Sequence, residues 1–523
     1  MVSLASFCCC FLLVLTGGKV EAQSARPNIL VIITDQQSAT DLSIAGNKWV
    51  KTPNMDQLAR EGFRFTTAYA ADPVCVPSKF TMQTGLYASE VGVRYNEEEP
   101  DQAKNDQIIQ RQALGWTFRR AGYETVFGGK IHLPGHFFGP ISQYGYYQLG
   151  ANGQIGADES AVVEKKLVLE MWSDPTLLAN AGAKYLLNRK PDAAKPFFLF
   201  LSFESPIHDI CYYTIRTMEP DSVLAKHTPE DILRLENQMH ELEQSEGMDK
   251  FFSHPSPDAP GFDRTDYAPP LPVNFEPMKD EPQAIRNLIA LRPFRAKARK
   301  VWDERGWREH RWMYAQLTDK QDVFIGTVLD ALKKSGLATN TIVVFFSDHG
   351  ENNGSHRLDH KTVFYNEASQ VPFIFSGAGI AAGLTNNIPV SLADFYPTLC
   401  DLAGVKAPRD LPGISLKPCL YGEPSAVLRK YVFVENQIGF MVTDGRFKYA
   451  WYDDAGNDEM FIDLKKDPAE EVNLMPEIRK GGSEYRTEYV ELRGALLKHI
   501  QQLMKAGAPI HASGLQQLIE KDR

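Results

Sequence analysis

Three apolar runs predict the buried strands of a central sheet. They cover residues 29–34, 196–203 and 341–347 and consist almost entirely of aliphatic and aromatic side chains. A strand that is apolar at nearly every position, and not only at alternate ones, is buried on both faces. Helical patterns lie between the runs, so we expect a mostly parallel sheet covered by helices.

Helical periodicity predicts the elements that cover this sheet. The predicted helices lie at 52–61, 78–85, 114–121 and 312–334, and a glycine ends each of them or follows it closely, as is usual at a helix C-terminus. Residues 211–300 lack sustained periodicity and are rich in proline and charge. We expect them to form an irregular excursion over the surface, which in a compact domain is often functional.

The pattern changes after Pro418 to short alternating pieces, which predict a small antiparallel sheet. These pieces lie at 431–434, 439–443, 447–452 and 459–464, and an amphipathic helix over 485–504 follows them. The predicted fold class is therefore α/β, with a large, mixed but mostly parallel sheet sandwiched by helices and a smaller C-terminal antiparallel sheet with a helix. We place the first domain at 23–420 and the second at 421–523.

The N-terminal residues 1–22 have the pattern of a secretory signal peptide. An apolar run over 7–15 is followed by small residues before Gln23, where cleavage is expected. No later run approaches the roughly 18 apolar residues of a membrane span. We therefore expect a chain of the secretory pathway that does not span a membrane and is secreted or periplasmic, or lysosomal in a eukaryote.

Charge and cysteine content narrow the class of protein. The formal net charge is −10, which argues against a nucleic-acid binder or a binder of anionic membranes. Any anionic substrate must then be held by local cations. Loss of residues 1–22 leaves four of the seven cysteines, Cys75, Cys211, Cys400 and Cys419. Cys400 and Cys419 either form a disulfide or remain buried thiols.

Polar pairs follow two of the apolar runs. Asp35 and Gln36 end the first, and Asp348 and His349 end the third. A single such pair is most often a turn or helix cap, but two pairs at strand ends favour a divalent metal site. Oxygen ligands favour Ca²⁺, and the imidazole of His349 leaves Mn²⁺ open.

Cys75 stands at the start of a predicted helix, where backbone N–H groups favour an anion, and Lys79 lies one turn further on. Lys130 and His132 are two residues apart, so they point to the same side of an extended segment. His208, which follows the second apolar run, is a further candidate. Each of these candidates also has an ordinary interpretation as a solvated or hydrogen-bonded residue. Lys361 would complete a set of three cations with Lys79 and Lys130, whereas Arg357 and His360 are interpreted as polar loop residues.

Six segments, in order, resemble the type I sulfatases of the alkaline phosphatase superfamily. They are Asn28 to Gln36, Cys75-Val-Pro-Ser-Lys79 to Gly85, Ala121-Gly-Tyr123 to Lys130-Ile-His132, Ser202 to Asp209, Ser347-Asp-His-Gly350, and His356 to Ala368. The resemblance covers essentially the whole mature chain. Lys79 stands where that family has arginine, and Ile207 separates the proline and histidine that the family has side by side.

The resemblance implies a sulfate ester hydrolase that acts on a sulfated small molecule or glycan. It implies that a formylglycine-generating maturation enzyme oxidises Cys75, and that the formylglycine hydrate is the nucleophile. The implied metal ligands are Asp35, Gln36, Asp348, His349 and the modified Cys75. Lys79, Lys130 and Lys361 would neutralise sulfuryl charge, His208 or Lys361 would protonate the leaving alcohol, and His132 would accept a proton when sulfate leaves.

Two other functions stay open. Relatives in the same superfamily hydrolyse phosphonates or phosphate diesters with a similar metal site. A non-catalytic glycan-binding protein would result if Cys75 remained a thiol, because a shared fold does not by itself determine activity.

Overall fold

The structure is a computed structural model that describes residues 26–510 with gaps. The gaps are 97, 135–140, 157–170, 172–173, 191–194, 205–206, 208–209, 211–256, 258–259, 265, 292, 424–428 and 454–457. The predicted signal peptide, His208, Cys211 and about half of the predicted excursion therefore lie outside the described residues.

A large mixed sheet forms the centre of the molecule, with strands in the order β4-β3-β5-β1-β6-β7-β2-β8 and β9 paired to β2. The strands β4, β3, β5, β1 and β6 are parallel to one another, and β7 is antiparallel to β6 and β2. Their bounds are β1 Asn28–Thr34, β2 Gly62–Tyr69, β3 Glu124–Gly129, β4 Tyr147–Gln148, β5 Phe197–Ser202, β6 Thr341–Ser347, β7 Gln370–Gly377, β8 Leu384–Asn386 and β9 Val390–Ser391.

The central strand β1 shows why the apolar runs are continuous. Ile29, Val31 and Ile33 pack into the core on one face of the sheet. Leu30 and Ile32 pack into the core on the other face. Because successive side chains of a strand point to opposite faces, a strand covered on both sides must be apolar throughout.

Helices cover both faces of this sheet. The helices of the first part of the chain are α1 Pro53–Arg60, α2 Cys75–Thr84, α3 Gln102–Gln112, α4 Leu114–Arg120 and α5 Pro175–Asn188. Those that follow are α6 Gln283–Ala290, α7 Pro293–Val301, α8 Glu304–Lys334, α9 Asn366–Ser369, α10 Phe395–Leu402 and α11 Lys417–Leu420. Within these described parts of the chain, no helix has the length and apolar character that crossing a membrane requires.

A second, four-stranded antiparallel sheet follows, in the order β10-β11-β12-β13. Its strands are β10 Val432–Asn436, β11 Gly439–Thr443, β12 Phe447–Tyr452 and β13 Glu459–Asp463, followed by α12 Met475–Lys480 and α13 Arg486–Lys505. One face packs against α13 through Leu492, Leu496 and Ile500. The other face packs against α6 and the segment 363–368, so this sheet is covered on both sides.

The predicted fold class is confirmed, with corrections to individual elements. Helix α8 begins at Glu304, eight residues before the predicted start at Trp312, and α2 begins at Cys75 itself. The predicted irregular excursion contains α6 and all but the last residue of α7, so its last part was wrongly predicted. The domain boundary at 420/421 stays a prediction. Cys400 and Cys419 are both buried thiols in the structure.

Candidate active site

Four parallel strands deliver polar side chains to one edge of the large sheet. Asp35 follows β1, Lys130 follows β3, Glu204 follows β5 and Asp348 follows β6. Since these strands are parallel neighbours, their carboxyl ends lie at the same edge, which is where open α/β sheets place their sites. Residues up to 313 positions apart in sequence thereby come together.

Helix α2 brings Cys75 to this edge. Cys75 is the first residue of the helix, and every residue of the helix is buried. The Ser78 hydroxyl donates to the Asp348 carbonyl at 2.6 Å, and the Val76 backbone N–H donates to the Asn96 side chain at 3.0 Å. The first bond attaches the helix to the end of β6 and the second attaches its first turn to Asn96, so together they fix the position of Cys75.

The Cys75 thiol lies among cationic and polar groups. Its Sγ is 3.1 Å from the His349 Nε2 and 3.6 Å from the Asp35 Oδ1, and it accepts from the Lys361 Nζ at 2.9 Å. Burial alone would raise the pKa of this thiol, but Lys361, Lys130 and His349 hold it well below its usual value. The site therefore favours negative charge at this position.

Four side chains form a cluster that fits a divalent cation. One donor atom each from Asp35, Cys75, Asp348 and His349 lie within 4.8 Å of one another, and all four residues are buried. Two carboxylates with an imidazole suit a divalent ion. An oxygen in place of the thiol sulfur would make the ligand set better suited to a hard cation. The donor chemistry fits the metal that the sequence predicts.

The two aspartates divide their oxygen atoms between this cluster and the lysines. The Oδ1 atoms of Asp35 and Asp348 lie 3.7 and 3.5 Å from the His349 Nε2. The Lys79 ammonium instead contacts the Oδ2 atoms of both, at 2.8 Å for Asp35. Burial alone would lower the pKa of Lys79, but Asp348 and Asp35 raise it, so Lys79 bridges the carboxylates as a point charge.

Lys130 is held between two carboxylates. Its Nζ lies 2.9 Å from the Asp35 Oδ2 and 2.9 Å from the Glu204 Oε1. Gly129 positions it, since its φ is 94° and a Cβ there would lie 2.1 Å from the Ser202 carbonyl oxygen, which only glycine avoids. Burial alone would lower the pKa of Lys130, but Asp35 and Glu204 raise it well above its usual value.

Gln36 bonds to Lys361 and to two other side chains beside the cluster that fits a divalent cation. Its amide oxygen accepts from the Lys361 Nζ at 3.0 Å, and its amide nitrogen donates to Glu351 and lies 3.2 Å from the His360 Nδ1. Burial raises the pKa of Glu351 to about 7. The role of Gln36 as a metal ligand stays a prediction.

His132 completes the surroundings of the thiol, to which it is hydrogen-bonded. Withdrawal from water and the nearby Lys130 lower the pKa of His132 to about 4. Its φ is 47°, and Gln36, His360 and Thr362 also have left-handed φ values of 70°, 77° and 86°. Such a conformation is costly for a non-glycine residue, above all a β-branched one, and tends to concentrate at functional sites.

The structure thus brings together all of the sequence-predicted site residues that it describes. These are Asp35, Gln36, Cys75, Lys79, Lys130, His132, Asp348, His349 and Lys361. His208 lies outside the described residues. Three further residues, Glu204, Glu351 and His360, belong to the same network, and the first two were missed by the sequence analysis. Glu204 lies two residues beyond the end of β5, and Glu351 lies two residues beyond the pair Asp348-His349. This closeness to a strand end was the signal available in the sequence.

Comparison with known proteins finds similar chains over most of the sequence. A family model described as Sulfatase matches residues 27–405, and one described as N-sulphoglucosamine sulphohydrolase, C-terminal, matches 354–486. The chain is 29% identical over 476 residues to a Delta 4,5-hexuronate-2-O-sulfatase of Bacteroides thetaiotaomicron, covering 88% of this chain and 87% of that protein. It is 27% identical to an N-acetylglucosamine-6-O-sulfatase of the same organism, covering 93% and 88%.

Solved structures share the fold. A 2-O GAG sulfatase superposes with a TM-score of 0.68 and 26% identity, covering 92% of this chain and 93% of that one. A phosphonate monoester hydrolase of Agrobacterium radiobacter superposes with a TM-score of 0.62 and 21% identity, covering 91% and 96%.

Proposed function

Because the chain belongs to the sulfatase family and is a sulfuric ester hydrolase, we propose that it removes sulfate from a carbohydrate with a formylglycine made from Cys75. The observation that carries this proposal is the place of the Cys75 Sγ. It lies within the cluster that fits a divalent cation and 2.9 Å from the Lys361 ammonium. A sulfate group bound at this point meets the nucleophile and the positive charge together.

The names of the relatives support a sulfated glycan as substrate. Two of them are sulfatases of a hexuronate and of N-acetylglucosamine, and a structural relative is described as a 2-O GAG sulfatase. All three act at sugar residues.

Oxidation of Cys75 by a formylglycine-generating enzyme would replace the thiol with an aldehyde, whose hydrate carries two hydroxyl groups where Sγ now lies. One hydroxyl group gives its proton to Asp35, whose Oδ1 lies 3.6 Å from the present Sγ, and its oxygen forms a bond to sulfur while the ester S–O bond breaks and the alcohol leaves with a second proton. We assign that proton to Lys361, with His208 as the alternative donor. Lys130 and Lys361 offset the negative charge on the sulfuryl oxygens.

His132 has the protonation state that the last step requires. With a pKa of about 4, its imidazole is neutral above that pH and can accept a proton. It takes the proton of the second hydroxyl as the bond to sulfate breaks, which restores the aldehyde.

Asp35, Asp348 and His349 would hold the metal, together with an oxygen of the modified Cys75 and the amide oxygen of Gln36. We propose Ca²⁺, since oxygen donors dominate this set, with Mn²⁺ as the alternative. The cation would polarise the bound sulfate and lower the cost of ionising the nucleophilic oxygen. Lys79 keeps both aspartates oriented by contacting their outer oxygens.

Mass spectrometry of the peptide that contains Cys75 tests the nucleophile. Protein from its native host should show a loss of about 18 Da at Cys75, the covalent change from thiol to aldehyde. A Cys75→Ala variant should lack both the shift and the activity. Native protein that carries only unmodified Cys75 would overturn the catalytic mechanism and favour a glycan-binding role.

Paired substrates test the reaction class. We expect turnover of 4-nitrophenyl sulfate and of sulfated disaccharides, loss of activity with a chelator, and recovery with Ca²⁺ or Mn²⁺. Because a phosphonate monoester hydrolase shares this fold, a phosphate diester such as bis(4-nitrophenyl) phosphate must be assayed beside the sulfate esters. Faster turnover of the diester than of every sulfate ester would favour a phosphodiester or phosphonate hydrolase instead.

We also propose entry into the secretory pathway, because residues 1–22 have a signal-peptide pattern. N-terminal sequencing of the mature protein should begin at Gln23. An intact Met1 on the active protein would contradict this proposal.

A further inference from the structure

A surface groove lies between α3 and α4, away from the catalytic edge. It has a volume of about 620 Å³ and is lined by Asp106, Gln110, Trp116, Arg119, Arg120 and Gln143, among others. We call it the Arg119 groove. Its lining combines aromatic and cationic side chains, which together recognise acidic sugars and other flat or anionic groups.

Arg119 is the central residue of the groove. Its guanidinium lies 3.8 Å from the ring centroid of Tyr147 and 5.5 Å from that of Trp116. Among the described residues, the Arg119 guanidinium has no hydrogen-bond or ion-pair partner. Stacking therefore holds the plane of the guanidinium, while its N–H edge stays available for an anion.

The neighbouring Arg120 differs from Arg119 because its guanidinium is hydrogen-bonded. It donates to the backbone carbonyls of Gln110 and Arg111, both at 2.7 Å. These are carbonyls at the end of α3, so Arg120 caps that helix. Its charge still lies 5.7 Å from the Trp116 ring centroid and adds to the positive potential of the groove.

Trp116 gives the groove a fixed aromatic wall. Its indole N–H donates to the Gln143 carbonyl at 2.6 Å. A partly exposed ring held in this way offers a flat apolar surface at little entropic cost. The cations beside it stand on a chain whose formal net charge is −10, so the groove departs in sign from the protein as a whole.

The groove is separate from the catalytic site. Arg119 lies in the last turn of α4, just before β3 begins at Glu124, and β3 ends at Gly129 beside Lys130. Six strand residues span about 20 Å. One small sulfate ester cannot reach both places, but a polysaccharide chain can.

We propose that the Arg119 groove binds a sulfate group of a sulfated polysaccharide, as a second site that retains the polymer while the catalytic site acts elsewhere on it. The choice of a sulfated polymer rests on the proposed function. The groove itself would supply a bidentate guanidinium for the sulfate and the Trp116 ring for the adjoining sugar.

Binding measured without turnover tests this proposal. In a Cys75→Ala background, calorimetry would measure the affinity for size-defined oligosaccharides of heparin and of chondroitin sulfate, with hyaluronan oligosaccharides as the unsulfated comparison. We expect Arg119→Ala to weaken binding of at least one sulfated series by about tenfold, the loss of a charge-assisted bidentate contact. Arg119→Lys should recover part of the affinity.

Arg486→Ala is the matched control. Arg486 is an exposed arginine that also stacks on an aromatic ring, 5.6 Å from the Tyr489 centroid, but on α13. It should bind like the Cys75→Ala parent, and all variants should share one unfolding midpoint. Equal affinity of Arg119→Ala and the parent for every sulfated series, or an equal loss in Arg486→Ala, would overturn the proposal. Because no turnover is needed, absence of sulfatase activity would contradict the proposed function without changing this result.

Discussion

Two buried lysines, in two regions of the molecule, differ in their partners, and this difference separates a structural charge from one proposed to act in catalysis. In the C-terminal sheet, the Lys448 Nζ contacts the Phe364 carbonyl, the Asn366 side chain and Glu470, at 2.8, 2.8 and 2.5 Å. All three of its N–H groups thus bond to acceptors that belong to the scaffold. At the catalytic edge, the Lys361 Nζ contacts the Cys75 Sγ at 2.9 Å.

The difference lies in the partners and not in burial, since both lysines are almost fully buried. Lys448 joins β12 to the segment 364–366, so removing it should loosen the attachment of the small sheet. Lys361 contacts Cys75, the proposed nucleophile, so removing it should change the reaction. A buried lysine is costly in either place, and only its partners indicate its role.

The largest effect is expected at Lys361. Lys361→Met should lower kcat/KM for a sulfate ester by about 10³–10⁴-fold, because the variant loses both a cation at the sulfuryl group and a proton donor. Steady-state kinetics and urea unfolding of the same preparation measure the two consequences. An unfolded variant, or one with nearly full activity, would contradict the assignment.

Lys448→Met should give the opposite result. It leaves Glu470 buried without its cation, so the free energy of unfolding should fall by about 3–5 kcal/mol at pH 8. Burial, partly offset by Lys448, raises the pKa of Glu470 to about 7, so at pH 5 the carboxyl is neutral and the loss should be smaller. Urea unfolding at both pH values measures this. Unchanged stability at pH 8 would refute the structural role, and kcat of the folded variant should stay near the parent value.

Glu204→Gln tests the same comparison on a carboxylate that pairs with a buried lysine. Glu204 shares Lys130 with Asp35, so its loss removes one of these two carboxylates from Lys130. We expect kcat to fall by about 10–100-fold with little change in KM, as for other residues that orient groups around a metal site. Glu470→Gln is the matched control in the C-terminal region and should leave kcat unchanged. A rise in KM alone would indicate that Glu204 binds substrate instead.

The smallest effect is expected at Glu435, which is buried in β10 without a lysine ion pair among the described residues. Burial raises its pKa to about 7 from an ordinary 4.5. The folded state therefore binds a proton at Glu435 more tightly than the unfolded state does. The resulting gain in the free energy of unfolding is complete below pH 4.5 and is lost as the pH rises through 7.

Glu435→Gln should remove that dependence. Above pH 7, the variant should be more stable than the parent by on the order of 1–2 kcal/mol, and its stability should vary less between pH 4.5 and 7. Thermal unfolding across this range measures both. A variant less stable than the parent at pH 8 would show that the ionised carboxylate is stabilising.

Much of the fold could be predicted from the sequence. The three apolar runs became β5, β1 and β6, side by side, because strands covered on both faces leave a continuous apolar signal. The strands β2 and β7 were not predicted. Their paired residues are far apart in sequence, with Phe63 opposite Phe375. Polar residues such as Arg64 and Thr66 interrupt the apolar pattern of β2, and Pro372 interrupts that of β7.

The candidate site was predicted as a set of residues but not as a set of contacts. Asp35, Asp348 and His349 follow apolar runs, so their convergence could be foreseen. Glu204 and Glu351 could not be singled out, because a glutamate near a strand end is ordinary until its neighbours are known. Lys79 was assigned to the sulfuryl group, whereas the structure shows its ammonium on the outer oxygens of two aspartates.

The sequence by itself therefore determined which residues are available, through strand-end positions and the place of Cys75 beside the predicted helix 78–85. Only the tertiary structure decided which oxygen of each aspartate faces His349 and which faces a lysine. It also decided that Lys361 contacts Cys75 while Lys448 contacts only scaffold groups. The physical reason is that such contacts depend on strand register and on the orientation of α2 against β6, and both are set by packing between segments that are hundreds of residues apart.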